Sequence, residues 1–142
     1  MDIRRLTIDD YDEMVKLWKR SALPFKPKGR DSRQAIKKQM DRDSDLFLGD
    51  FREGMLVGVI VGSYDGRKGW INRLAVDPEH RRQGIAQLLI TRMEKSLEKR
   101  GAKVICALVM GSNLESINLF ENQRYIIDRS ILYLSKRKSK DV

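Results

Sequence analysis

The residues that could do chemistry lie together in one stretch, Leu74-Ala75-Val76-Asp77-Pro78-Glu79-His80-Arg81-Arg82-Gln83-Gly84-Ile85-Ala86. An apolar run ends at Val76, a donor-rich turn follows, and Gly84 stands at the mouth of a long amphipathic segment. The first turn of a helix has backbone N–H groups without intrahelical partners, and the helix dipole adds positive potential there. Such a terminus holds phosphate groups. Gly84 lets a ligand come close to the backbone, Ala86 keeps the first turn thin, and Arg81 and Arg82 add charge-assisted donors. With Gln83 and Ile85 between them, these residues mark a pyrophosphate site between a strand ending at Val76 and a helix opening near Gly84. An Arg-x-x-Gly alone would be read as an ordinary strand–helix turn with solvated arginines. Here the preceding strand, the following helix and the small residue two past the glycine favour phosphate. No Gly-Lys-Ser/Thr follows, so this is not a Walker loop, and the Gly-x-Gly-x-x-Gly of a dinucleotide fold is missing.

The elements that must position this turn follow from periodicity. Ile3, Leu6 and Ile8 suggest a short strand, and Asp9 or Asp10 a helix N-cap. Tyr11, Met14, Val15 and Trp18 fall on one helical face. Leu23-Pro24-Phe25-Lys26-Pro27 breaks that helix, and Asp31 or Ser32 opens a second with Ile36 and Met40 inward. Residues 46–76 read as an antiparallel meander, with turns at Glu53-Gly54 and Asp65-Gly66. Ile85, Leu88, Leu89, Met93 and Leu97 mark a helix from about Gly84 to Arg100, stopped by Gly101. Val104 to Val109 reads as a strand buried on both faces. Asn113 opens a helix to about Gln123, and Tyr125 to Ser135 supplies a last strand. The order β-α-α-β-β-β-α-β-α-β is mixed α/β: an antiparallel meander, then right-handed β-α-β crossovers.

The chain has 142 residues, 41% hydrophobic and 35% charged, with a net charge of +9. Length and apolar content suit one domain, residues 1–135, with a basic and flexible tail at 136–142. The charge suits a nucleic acid, an acidic membrane surface or a polyanionic small molecule. No helix-turn-helix, zinc finger or RNA-binding signature appears, and the cations are scattered among acids, which disfavours a nucleic-acid-binding domain. One Cys and one His exclude a disulfide framework and make a zinc site unexpected. With no apolar run of about 18 residues and no leader pattern, a soluble cytoplasmic protein without membrane contact is expected.

Arg81-x-x-Gly84-x-Ala86 after Leu74-Ala75-Val76 resembles the acetyl-CoA signature of the GNAT N-acetyltransferases. The element order matches that fold over nearly the whole chain, and Tyr64-Asp65-Gly66-Arg67-Lys68-Gly69 resembles the YpeA-like subgroup. Asn113-x-x-Ser116-Ile117-x-Leu119-Phe120 is similar to the family's downstream helix beside the CoA thiol. The resemblance implies an N-acetyltransferase moving an acetyl group from acetyl-CoA to a primary amine by direct attack. It implies that Leu74, Ala75 and Val76 face the pantetheine arm, that the amides from Arg81 through Ala86 hold the pyrophosphate, that Asn113 bonds the pantetheine, and that Phe120 packs near the sulfur. Dimers are common in that family, so a homodimer is among the expected assemblies.

Two positions depart from the family pattern. Phe120 stands where many members have a proton-donating Tyr, and Arg124 stands where many have Gly, although Tyr125 keeps the following aromatic. The family often carries a Glu on the strand before Leu-Ala-Val, where this chain reads Trp70-Ile71-Asn72-Arg73. Asn72 could orient a water and Tyr125 could give a proton, though an aromatic opening a strand more often packs in a core. These departures keep a non-catalytic acyl-CoA sensor as the alternative. His80 reads as a solvated loop residue, Cys106 as a buried structural thiol, and Leu23 to Gly29 as either a specificity loop or a plain connection.

Overall fold

The computed structural model describes residues 2–142. Its elements in chain order are β1 (Asp2–Arg5), α1 (Tyr11–Arg20), α2 (Arg33–Arg42), β2 (Phe47–Arg52), β3 (Met55–Tyr64), β4 (Gly69–Val76), α3 (Ile85–Lys99), β5 (Ile105–Ala107) and α4 (Leu114–Asn122). The five strands form one sheet in the order β1-β2-β3-β4-β5. The first four are antiparallel neighbours, and β5 joins β4 in parallel after the α3 crossover. This is the mixed α/β architecture read from the sequence. Among the described residues no helix is long and apolar enough to cross a membrane.

Each face of the sheet buries a separate core. On one side α1 and α2 bring Met14, Leu17, Trp18, Ile36 and Met40 onto Val59, Val61 and Ala75. On the other, α3 and α4 bring Ile85, Leu89, Met93, Leu97 and Phe120 onto Val57, Ile60 and Ile71. Glycines on the α3 side let that helix lie close: a Cβ at Gly58 would meet Ile85 Cγ2 at 2.8 Å, and one at Gly62 would meet Met93 Sδ at 2.7 Å. At the C-terminal end of α3, Gly101 takes φ +106°, and the N–H groups of Gly101 and Ala102 donate to Glu98 O and Leu97 O. That is the two-bond helix stop expected of a glycine there.

Four details differ from expectation. The first strand ends at Arg5, because Thr7 opens a short 3-10 turn. Asp10 precedes α1, but its carboxylate turns back to Thr7 N and Arg4 instead of capping the helix. The strand expected over Val104 to Val109 shortens to Ile105–Ala107 and lies at the sheet edge, leaving Val104 and Leu108 exposed. Tyr125 to Ser135 forms no strand, so only one crossover lands in the sheet. The run Ile131-Leu132-Tyr133-Leu134 has strand-forming residue types but no polar alternation, and its side chains are exposed. Strand propensity works only against a paired edge.

Candidate functional site

The site is built where β4 parts from β5. The parallel ladder runs from Gly69↔Ile105 to Ile71↔Ala107 and stops. The antiparallel ladder on the other side of β4 continues to Val76↔Gly58. Asn72 falls at the irregularity between Val61 and Gly62, so β4 has an extra residue there. Beyond it, one edge of β4 has no strand partner. Asp77 N donates to Val57 O at 2.8 Å, so Val76↔Gly58 is a pair whose own main-chain groups do not bond each other. The N–H and C=O of Val76, and by alternation those of Leu74, therefore point away from β3 toward the open edge. Ala75 is buried in the α1 core, while Leu74 and Val76 pack toward α3.

The open edge leads into the turn before α3. Arg82 and Gly84 both take positive φ, +64° and +78°. Alternation of this kind aims successive N–H groups into one concavity. Among the described residues, the amides from Arg81 to Gln87 donate to no protein acceptor; the first helical bond is Leu88 N to Gly84 O at 3.1 Å. Arg81, Arg82, Gln83 and Gly84 are exposed, and Ile85 is buried as the anchor of the turn. An open groove of about 390 Å³ beside it is lined by Gln83, Gly84, Gln87, Leu88, Thr91 and Gln123. The turn thus presents unmet donors at a positive helix end, the chemistry that a pyrophosphate requires.

Asp77 fixes this turn from below. It accepts from Glu79 N at 2.9 Å and pairs with Arg20 at 3.0 Å. Burial pushes its carboxyl upward, but the Glu79 amide and Arg20 together hold it below the ordinary Asp value. His80 lies near, with Nδ1 buried and without a hydrogen bond.

On the α4 side, Asn113 caps the helix, its side-chain oxygen accepting from Ser116 N at 3.1 Å. Phe120 is 8% exposed and meets Tyr125 edge-on, with ring centroids 5.0 Å apart. Arg124 adopts φ +71°. Arg124 N donates to Glu121 O and Tyr125 N to Phe120 O. This is again the two-bond helix stop, with its usual apolar contact, built on an Arg where Gly would be unstrained. The Tyr125 hydroxyl donates to Glu94 Oε2 at 2.7 Å. Burial first, then Glu94, pushes its phenol well above the ordinary value. Asn72 is exposed and donates to Ser63 Oγ at 3.0 Å. Cys106 is partly buried in β5.

The structure also brings forward residues whose spacing gave no signal. Arg73 reaches from the α1 face of β4 to Pro24 O and to the Asp31 carboxylate, and lies 4.9 Å over the Trp18 ring. Asp31 also accepts from Lys26 N at 2.6 Å, while its carbonyl accepts from Tyr11 Oη at 2.7 Å. Ser21 Oγ donates to Val76 O at 3.3 Å. These contacts fasten the α1–α2 connection along β4.

A mixed sheet with one parted parallel pair thus opens onto an amide-lined helix mouth. The model of the Acetyltransferase (GNAT) family matches residues 11–124, and the chain belongs to that family. It is therefore an acetyltransferase with acetyl-CoA as co-substrate. An acetyltransferase of Sodalis glossinidius (strain morsitans) is 39% identical over 141 residues, covering 99% of this chain and 98% of the relative. One from Photorhabdus laumondii is 40% identical over 125 residues, 88% of this chain and 86% of the relative. Among solved structures, the PaiA N-acetyltransferase of Thermoplasma acidophilum in complex with coenzyme A superposes with a TM-score of 0.75 at 20% identity. It covers 86% of this chain and 87% of its own. Ard1 of Thermoplasma volcanium gives 0.79 at 21% identity, covering 89% and 83%.

Proposed function

We propose that this chain transfers the acetyl group of acetyl-CoA to a primary amine by direct attack within the gap beside β4. The observation that carries the reading is the open edge of Leu74–Val76 running into the unmet amides of Arg81 to Ala86. In this reading the main chain of Leu74, Ala75 and Val76 receives the pantetheine arm. The turn Arg81-Arg82-Gln83-Gly84-Ile85-Ala86 receives the pyrophosphate. Asn113 keeps its side-chain nitrogen for the pantetheine while its oxygen caps α4, Ser116 closes that cap, and Phe120 forms the apolar wall near the sulfur.

The reaction needs a neutral amine. The attacking nitrogen forms the C–N bond to the thioester carbonyl carbon, and the C–S bond breaks. The ammonium loses two protons in all: one goes to solvent, and one ends on the CoA thiol. The Val76 N–H, directed to the open edge, stabilises the negative charge that develops on the carbonyl oxygen. Asn72 orients a water that relays the first proton. Tyr125 stays protonated at neutral pH and is the candidate donor of the second. A thiol with a pKa near ~8.5 is also a competent leaving group unaided. Holding both reactants in one gap supplies much of the remaining acceleration.

The test is turnover. Acetyl-CoA with a broad panel of amines and peptides should release CoA faster than the no-acceptor control, and Asn72→Ala should lower kcat by about tenfold. A protein that binds CoA but turns over no acceptor would be a sensor instead of an enzyme.

A further inference from the structure

We propose a second anion site, apart from the turn before α3, in the corner where β1 and β2 meet the flank of α3. Its ligand is a short phosphate chain. Arg5 is the register partner of Leu48 in the antiparallel ladder, so the two side chains stand on the same sheet face. Leu48 belongs to the α3-side core, which identifies that face. On α3, Arg92, Lys95, Ser96 and Lys99 follow at i, i+3, i+4 and i+7, the spacing of one helical face. Both walls line one cavity of about 510 Å³, with the buried Leu48 among its lining. The stripe from Arg92 to Lys99 runs ~10 Å along the helix. This cavity shares no lining residue with the groove beside Gly84.

Arg5, Arg92, Lys95 and Lys99 line this cavity against a single carboxylate, Glu98. All four cations are exposed and make no ion pair among the described residues. The neighbouring acids are engaged elsewhere. Asp45 feels the charge of Arg5 but is bonded by Arg100. Asp50, two residues beyond Leu48 on β2, is buried and paired with Arg52. Glu94 accepts from the Tyr125 hydroxyl. Arg92 and Lys95 lie one turn apart, as do Lys95 and Lys99, and like charges at that spacing destabilise a helix. Lys99, in the last turn, offsets the negative end of α3, but Arg92 lies too far from that end to do so. A multiply charged anion between the two walls relieves this repulsion from both sides. Arg5 and Arg92 supply forked donors for phosphate oxygens, and Ser96 adds a hydroxyl. No aromatic ring or carboxamide is among the lining residues, so the cavity reads phosphates and not a base.

The test is calorimetric titration of sodium tripolyphosphate at low salt into the parent and into Gly84→Glu, which obstructs the turn before α3 and leaves the corner alone. Binding at the corner should appear in both proteins with the same affinity. In R92Q/K95Q it should weaken by more than about tenfold. The control K136Q/K138Q removes the same charge from the tail and should stay within about twofold of the parent. Glu98→Gln removes the one opposing carboxylate and should tighten binding by about threefold. ATP should bind about as well as tripolyphosphate, since the phosphate chain is the part recognised. Each variant should keep the thermal midpoint of the parent within a few degrees, because the substituted side chains are exposed. No binding by the parent would overturn the proposal. So would binding that is lost in Gly84→Glu, which would place the anion at the turn, or an equal loss in K136Q/K138Q, which would make it an effect of net charge. A DNA duplex or anionic vesicle held more tightly than tripolyphosphate, and released by R92Q/K95Q, would replace the small anion with a macromolecular surface.

Discussion

Arg124 holds a left-handed backbone conformation that costs a non-glycine residue about 1 kcal/mol, yet its N–H and that of Tyr125 close the end of α4. Arg124→Gly should therefore raise the thermal midpoint by about 3 °C, read by calorimetry or circular dichroism. An unchanged or lower midpoint would mean that the strain is absent or that glycine freedom in the unfolded chain cancels it. The same helix stop fixes Tyr125 against Phe120 and directs its hydroxyl to Glu94. Because the thiolate can leave without an acid, Tyr125→Phe should lower kcat by less than about tenfold. A larger fall with KM unchanged would make Tyr125 an essential donor. The aromatic at 125 was legible from sequence as a resemblance. Its bond to Glu94 was not, because the two residues meet only through the packing of α4 onto α3.

At the scale of elements, two ion-pair clusters fasten connections that have little secondary structure of their own. Arg73 and Asp31 are 42 residues apart in sequence, and together they hold the α1–α2 connection to β4. Asp31→Asn should cost about 3 kcal/mol in denaturant unfolding, because it leaves the Arg73 guanidinium buried without its counter-charge. Arg100, at the end of α3, bonds Asp43 and Asp45 before β2. Arg100 holds the Asp45 carboxyl below its ordinary value. A carboxylate with a depressed folded pKa contributes stability above its unfolded pKa of about 3.9 and loses it as pH falls through the folded value. The thermal midpoint should thus be level from about pH 7 to 5 and drop below about pH 4. In Arg100→Gln that acid drop should be shallower, from a lower starting stability. A drop of equal steepness would show that other carboxylates govern it. The helices and meander were legible because apolar period, turn residues and Gly101 are local signals. The ion pairs were not, since a lone Arg on a strand and a lone Asp in a loop carry no mark of each other. Residues 125–135 misled for the opposite reason: their composition is that of a strand, but composition supplies no partner edge.

For the whole molecule, the net charge of +9 now has a distribution. Part of it lies in the turn before α3, part on the α1–α2 connection, and the remainder on the outer faces of helices and in the tail. The strand–turn–helix frame of the candidate phosphate site was its most legible part, because a strand end, two arginines and a glycine before an amphipathic helix are adjacent in sequence. The parting of β4 from β5 carries no local signal in the sequence, since ladder length is a property of two strands at once. If CoA's phosphates sit at this turn, CoA affinity should fall with ionic strength. The most direct test is calorimetric titration of CoA into the parent protein and Gly84→Glu. No protein atom lies within 4 Å of a Cβ built at Gly84, and the residue sits at φ +78° before α3. The substitution thus adds modest backbone strain and a carboxylate where the free amides converge, without a clash in the core. The parent should bind CoA with roughly micromolar affinity, and the folded variant should be weaker by more than about tenfold. No binding by the parent, or equal affinity in a folded Gly84→Glu, would contradict a phosphate site at the mouth of α3.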